Sequence, residues 1–397
     1  MALRSTIRSA YLWRCRLFST SILNSDSKTP LSSKEKSRAA LSLLRFEKNP
    51  ERILDICRAA ALTPESHLDR VAYSKAISKL RESHYYEGIR GLVMDSLSQP
   101  DFKSERFVRH FIVLLGQAGI LKDAINLFDE MPKLGVDRSI KALNSLLISC
   151  VLAGEYGELK RIFADFPSKY NLQPDLETYN NALKGLCESG SSNAAYSLLA
   201  DMERNNIKPN TTTFSVLMAG FYKEKKLSDV EKTTDLMNKH GVLPGIAFYN
   251  TKIMSLCKLQ KSSEAKAVLD YILSKKMKPN CVTYNHLIHG FCKEGDLDLA
   301  KKLFKQMNDR KLKPESSCYF TLIYFLCQGR DFESALGICK DSISKGWVPN
   351  ISTMRSLVNG LVSIEKVDEA REIISVVKEK FSRNADRWSE IEEGLPK

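Results

Sequence analysis

The sequence predicts an all-α chain built from a repeated helix-turn-helix unit of 35 residues, and three observations predict it. Pro174, Pro209, Pro244, Pro279, Pro314 and Pro349 stand 35 residues apart. Proline cannot continue a helix, so this series marks the joints between units. Ala195, Val230, Ala265, Ala300, Ala335 and Ala370 keep the same spacing. Whole stretches also recur: LETYNNALKGLCESGSSNAA at 176–195, IAFYNTKIMSLCKLQKSSEA at 246–265 and CVTYNHLIHGFCKEGDLDLA at 281–300. A fixed internal period is the mark of a repeat array, in which one unit cannot bury its own apolar face and stacked copies do.

The unit 281–315 shows how each element arises. Tyr284, Leu287, Ile288, Phe291 and Cys292 fall at i, i+3, i+4, i+7 and i+8, the stripe of an amphipathic helix A. Gly295 then breaks the helix; Gly119, Gly154 and Gly190 hold the same turn position. Asp296 is placed to cap helix B, whose stripe is Ala300, Leu303, Phe304 and Met307. KLKPE closes the unit.

Extending this ruler gives nine units over 70–385, starting at Arg70, Glu105, Ile140, Leu176, Thr211, Ile246, Cys281, Ser316 and Ile351. The unit 140–175 has 36 residues, and its extra residue is expected near PSKYN, in the loop after helix B. A degenerate helical pair is expected over 35–69, and a capping helix over 386–397, with Trp388 and Ile391 covering the last exposed face.

The first residues read differently. MALRSTIRSAYLWRCRLFSTS carries Arg4, Arg8, Arg14 and Arg16 and has no acid before Asp26. That is the composition of an amphipathic import presequence, so 1–18 are set apart as a mitochondrial presequence, with Arg16-Leu17-Phe18 as its cleavage signal and the matrix as the destination. The Ser-rich stretch 19–34 is expected to be a disordered linker.

The formal net charge is +13, and setting aside the four presequence arginines leaves +9. A basic chain favours an anionic partner such as nucleic acid. No run of about 18 apolar residues exists, so no membrane span is expected. The ten cysteines include no C-x-x-C. Cys187, Cys257, Cys292 and Cys327 share one repeat position, and stacked repeats would hold them too far apart to converge on one metal. They read as small buried apolar residues in a reducing compartment.

The motifs TYNHLIHGFCKEG at 283–295 and TYNNALKGLCESG at 178–190, with the KPN closures at 208–210 and 278–280, resemble the pentatricopeptide repeat family, plain class, of plant mitochondria. The resemblance covers nearly the whole chain beyond the presequence. It implies a right-handed α-solenoid superhelix of about ten repeats, with helices A lining a groove that holds single-stranded RNA. In that family residue 5 and the last residue of each repeat contact one base edge, and residue 2 packs against the base.

Carried onto this sequence, the resemblance makes Asn144/Asp175 a uracil reader and Asn180/Asn210 and Asn250/Asn280 pyrimidine readers leaning to cytosine. Asn285 is a further base-reading candidate, although its partner Glu315 would bring a negative charge to RNA. The pairs Ser74/Ser104, Arg109/Ser139, Ser215/Gly245, Phe320/Asn350 and Arg355/Ala385 match the pattern poorly, and Glu177, Lys141 and Arg106 replace the usual aliphatic residue 2. At roughly 1–3 kcal/mol per good base contact, three readable repeats supply about 3–9 kcal/mol of discrimination, thin for finding one site in a transcriptome. Lys223, Lys258 and Lys293 hold position 13 of three consecutive repeats and are candidates for a phosphate-tracking row.

Signals for chemistry are weak. His286 and His289 are spaced i, i+3 with no third ligand in view, and Asp296 and Asp298 begin a helix, where they complement its dipole. The H-x-E and C-x-x-C of a zinc deaminase are absent, as are the phosphate-binding glycine motifs. The expectation is therefore a non-enzyme without metal, cofactor, membrane contact or small-molecule substrate. Stretches 27–60 and 320–327 look similar to family members that associate with the small subunit of the mitochondrial ribosome. That resemblance implies ribosomal RNA and mitochondrial ribosomal proteins as partners. The alternative is a site-specific RNA stability, processing or translation factor on a short pyrimidine-rich segment.

Overall fold

The structure, a computed structural model, describes residues 33–61, 70–98, 102–381 and 385–395. The expected presequence and residues 19–32 of the expected linker lie outside the described residues. Every regular element among the described residues is helical. The chain divides into two compact units, one running to Lys208 and one beginning at Pro209.

The first unit holds α1 (Ser33–Phe46), α2 (Pro50–Ala61), α3 (Arg70–Glu82), α4 (Tyr86–Ser98), α5 (Glu105–Ala118), α6 (Leu121–Glu130), α7 (Ile140–Ala153), α8 (Tyr156–Lys169), α9 (Leu176–Glu188) and α10 (Ala194–Arg204). The second holds α11 (Thr211–Lys223), α12 (Leu227–Lys239), α13 (Ile246–Lys258), α14 (Ser262–Ser274), α15 (Cys281–Glu294), α16 (Leu297–Asp309), α17 (Ser316–Gln328), α18 (Phe332–Ser344), α19 (Ile351–Ser363), α20 (Val367–Lys380) and α21 (Ala385–Glu393). Odd-numbered helices are the A helices and even-numbered ones the B helices. Within the first unit α1, α3, α5, α7 and α9 pack in succession; within the second, α11 to α21 do so through their odd members.

α15 shows why the sequence folds this way. Asn280 caps its start: the side chain accepts from Thr283 N–H while the Thr283 hydroxyl accepts from Asn280 N–H, a reciprocal capping box. Tyr284, Leu287, Ile288, Phe291 and Cys292 are each at most 2% exposed. Burying each large side chain stabilises by roughly 1.5–3 kcal/mol before entropy is counted. Gly295, at φ 84°, ends the helix, and the next amide, Asp296 N–H, turns back to Phe291 O at 3.0 Å. Asp296 then caps α16 by accepting from Leu299 N–H at 3.0 Å.

Close approach between helices is bought by a small residue in the middle of helix A. A Cβ on Gly290 would lie 2.5 Å from Ser262 Oγ and 2.6 Å from Cys257 Sγ. At the equivalent Gly360 it would lie 2.0 Å from the Phe332 ring. The four repeat cysteines, Cys187, Cys257, Cys292 and Cys327, are buried and unbridged. Burial pushes the Cys292 thiol up to about 12 and the Cys257 thiol up to about 11.

Two details differ from expectation. The extra residue of unit 140–175 does not lengthen the loop after helix B; α8 runs on through Pro167 to Lys169 and takes it into its last turn. Tyr170 then packs on Phe128 and Phe166, and Arg138 stacks over the Tyr170 ring at 4.6 Å, fixing the joint. The first helix among the described residues begins at Ser33, two residues ahead of the expected 35. At the other end α21 packs on α19 and α20, with Trp388 1% and Ile391 5% exposed.

Candidate nucleic-acid interface

The residues singled out in the sequence sit on helices A and at the joints before them. Asn144 lies in the first turns of α7 and is fully buried. Its Nδ2 donates to Asp175 Oδ1 at 3.0 Å, and its Oδ1 accepts from the Thr178 hydroxyl at 2.7 Å. Asp175 is at the same time the N-cap of α9, accepting from Thr178 N–H at 2.9 Å. Partial burial pushes the Asp175 carboxyl up, but the Thr178 amide, the Asn144 amide and the Thr178 hydroxyl outweigh it and hold it below the usual carboxylate range.

The same arrangement recurs in the second unit. Asn250, 7% exposed, donates from Nδ2 to Asn280 Oδ1 at 3.1 Å and accepts from the Thr283 hydroxyl at 2.7 Å. Asn280 is the exposed N-cap of α15. The two members of each of these sequence-predicted pairs are thus brought into direct contact, one by helix A of a repeat and the other by the cap of the next.

The sequence names two further asparagine pairs. Asn180 is half-buried on α9 in the first unit, and Asn210 caps α11 in the second by accepting from Thr213 N–H at 3.1 Å. Asn285 has no such partner: Glu315 caps α17 without any side-chain bond, and Cys318 stands where Thr178 and Thr283 stand in the other repeats. Its Oδ1 is buried and accepts no hydrogen bond.

Asn285 lines a groove of about 540 Å³ on α13, α15 and α17, together with Val282, His286, His289, Lys258 and Lys293. Val282, at position 2, is 44% exposed, an aliphatic surface beside the polar one. Two of the three position-13 lysines therefore share one groove; Lys223 is exposed at the end of α11. Burial, His289 and Lys258 push the His286 imidazole below its ordinary value, and burial and Lys293 do the same to His289. Both rings are thus neutral at neutral pH and line the groove as hydrogen-bonding surface.

Several poorly matching pairs are tied up inside the protein. The Ser74 hydroxyl donates to Gln117 Oε1 at 2.9 Å, and Gln117 Nε2 donates to Ser78 Oγ at 2.8 Å. Arg109 donates to Ser145 Oγ at 3.2 Å, and Arg355 lies 3.8 Å from Glu390 of α21. Ser215 bonds back to Thr211 O at 2.8 Å. Asp298, read as half of a D-x-D pair, pairs with Lys301 at 3.0 Å.

Reading the sequence for base-contacting positions missed Thr178 and Thr283. A signal was there: Asp175-x-x-Thr178, Asn210-x-x-Thr213 and Asn280-x-x-Thr283 have the spacing of a capping box, and each threonine precedes a position-5 residue by two.

Comparison with known proteins agrees with this architecture. The PPR repeat model matches residues 110–136, 212–242 and 275–308, and the PPR repeat family model matches 174–223. A mitochondrial pentatricopeptide repeat-containing protein of Arabidopsis thaliana is 51% identical over 391 residues, 98% of this chain and 96% of that protein. The small ribosomal subunit proteins mS79 and mS78 of the same plant are each 28% identical, over 167 and 173 residues, spanning 42% and 43% of their own lengths. Among solved structures, the crystal structure of the pentatricopeptide repeat protein PPR10 from maize is 19% identical with a TM-score of 0.42, covering 91% of this chain and 55% of that one. With its 35-residue period, its capped A helices and a relative that shares half its residues end to end, this chain belongs to the pentatricopeptide repeat family.

Proposed function

We propose that this chain is a mitochondrial protein that binds single-stranded or ribosomal RNA along its A helices, and that it serves as a component or adaptor of the small ribosomal subunit in support of translation. The observation that carries RNA binding is the groove on α13, α15 and α17. There Asn285, the aliphatic Val282 and two lysines line one groove. A base needs hydrogen-bonding edge contacts and a face to pack on, and its phosphate needs cations. The relative at 51% identity is a mitochondrial protein by name, which supports the compartment.

The ribosomal role is supported by the likeness to mS79 and mS78 and by how few repeats carry a complete reading pair. A protein held on a particle by several surfaces needs little base discrimination of its own. The second reading, a free site-specific factor, is favoured by the two intact networks at Asn144 and Asn250, which give each amide a defined orientation.

RNA crosslinked to the protein in intact mitochondria and then sequenced separates the two. Reads concentrated on small-subunit ribosomal RNA, with co-sedimentation lost when subunits are unfolded, are expected. A single narrow pyrimidine-rich footprint in one transcript would instead establish the site-specific factor.

A further inference from the structure

The amide of an asparagine presents a donor on one side and an acceptor on the other, so a base-reading asparagine is only as selective as its flip is fixed. In two repeats the flip is fixed by a residue that no base-reading scheme above includes. The Thr178 hydroxyl accepts from Asp175 N–H at 3.0 Å, and its single hydrogen lies between Asn144 Oδ1 at 2.7 Å and Asp175 Oδ1 at 2.9 Å. The Thr283 hydroxyl accepts from Asn280 N–H at 3.1 Å, and its hydrogen lies between Asn250 Oδ1 at 2.7 Å and Asn280 Oδ1 at 3.2 Å. The contact to the asparagine is the shorter of the two in each repeat, and it turns the amide oxygen toward the hydroxyl. The Nδ2 side then meets Oδ1 of Asp175 or Asn280. The alternative flip would set the amide oxygen against that Oδ1, acceptor against acceptor, and would lose the hydrogen bond from the hydroxyl.

The third case acts as an internal control. Beside Asn285 the threonine position is Cys318, buried among the A helices, and the cap residue is Glu315, whose side chain makes no cap bond. Asn285 Oδ1 has lost both partners and is buried without a hydrogen bond.

We propose that Thr178 and Thr283 are specificity-setting positioning residues: each holds the asparagine of the preceding repeat in one amide orientation, so that those repeats discriminate between bases, whereas the repeat of Asn285, with Cys318 in the threonine's place, accepts bases permissively. The proposal rests on the RNA-binding reading above. The threonine acts through the asparagine and touches no base itself.

The test uses the full-length chain and a pool of fully randomised RNA oligonucleotides, with bound sequences read out against the input. Thr283→Val removes the hydroxyl at nearly constant volume, and Thr283→Ser keeps it. The wild-type protein is expected to show a base preference of roughly fivefold or more at the position read by Asn250. Thr283→Val is expected to flatten that one position while overall retention of the pool stays within roughly threefold of wild type. Thr283→Ser is expected to retain the preference, which a general weakening of the helix cap would not explain. Cys318→Thr, a gain rather than a loss, is expected to add a preference at one new position. A Thr283→Val protein that keeps every preference overturns the proposal and leaves RNA binding standing, as does a Thr283→Ser protein that loses the preference along with the valine variant. A wild-type protein that retains none of the pool overturns both.

Discussion

The side-chain amide of Asn144 donates to Oδ1 of Asp175 at 3.0 Å across the joint between two repeats. The residue proposed to read a base is therefore also a tie between neighbouring repeats, and Asp175 closes that tie while capping α9. Stability and the proposed recognition share the same atoms.

Asp175 ties stability to acid pH. Its folded carboxyl titrates below the ordinary value of about 3.9, so its contribution is present above that value and fades as pH falls through the lower folded one. Asp175→Asn keeps a cap acceptor and removes the titration. The stability difference between wild type and Asp175→Asn, followed by urea unfolding, is expected to shrink on the acid side of about pH 4. Asp175→Ala removes the cap outright and is expected to cost about 0.5–2 kcal/mol at neutral pH.

Gly290 is expected to be intolerant of even a methyl group. Its Cβ would fall within 2.6 Å of both Ser262 Oγ and Cys257 Sγ, so Gly290→Ala should destabilise by about 1–3 kcal/mol in denaturant unfolding. Gly337, an exposed glycine inside α18 with nothing within 4 Å of its Cβ position, gives the opposite sign. Gly337→Ala should stabilise by about 0.5–1 kcal/mol, because the gain in helix propensity meets no steric opposition.

Lys258 and Lys293 line one groove, and the contribution to RNA binding proposed for them is electrostatic. Lys258→Ala with Lys293→Ala should weaken binding to different RNA sequences alike. It should also reduce the slope of log affinity against log salt by about 1.4, the counterion release of two single-strand phosphate contacts. An unchanged slope in a salt titration would place these lysines away from the phosphates.

His286 and His289 give the groove a dependence on pH. Both are held below their ordinary value when no anion is bound, His286 by burial first and then by His289 and Lys258, His289 by burial first and then by Lys293. A bound phosphate favours the protonated rings, so affinity for RNA should rise as pH falls below about 6.5. His286→Asn with His289→Asn should flatten the profile between neutral and mildly acid pH. An equal rise in wild type and variant would assign the effect to other groups.

Much of the fold was legible before the structure. The proline series fixed where units join, the apolar stripe of Tyr284, Leu287, Ile288, Phe291 and Cys292 fixed the buried face of α15, and Gly295 fixed its end. Not every turn was so marked. Gln260 and Glu365 take the same left-handed conformation as Gly295, at φ 57° and 63°, without a glycine to announce it. The repeat imposes the geometry there, because the helices on either side must still pack. The extra residue of unit 140–175 was visible in the count but not in its place: packing of Tyr170 on Phe128 and Phe166 drew it into the last turn of α8.

The sequence by itself determined the period, the helices, their caps and the four asparagines at the reading position, because each depends on residues within a few positions of one another. The tertiary structure decided what those asparagines can do. Asn144 meets Thr178, and Asn250 meets Thr283, only because stacking brings the first turn of one A helix beside the next; Asn285 meets Cys318 and is left without a hydrogen-bond partner for its oxygen. A hydrogen bond reaches about 3 Å, and at that range the chemistry of a site is set by the neighbour that packing delivers rather than by the neighbour in sequence.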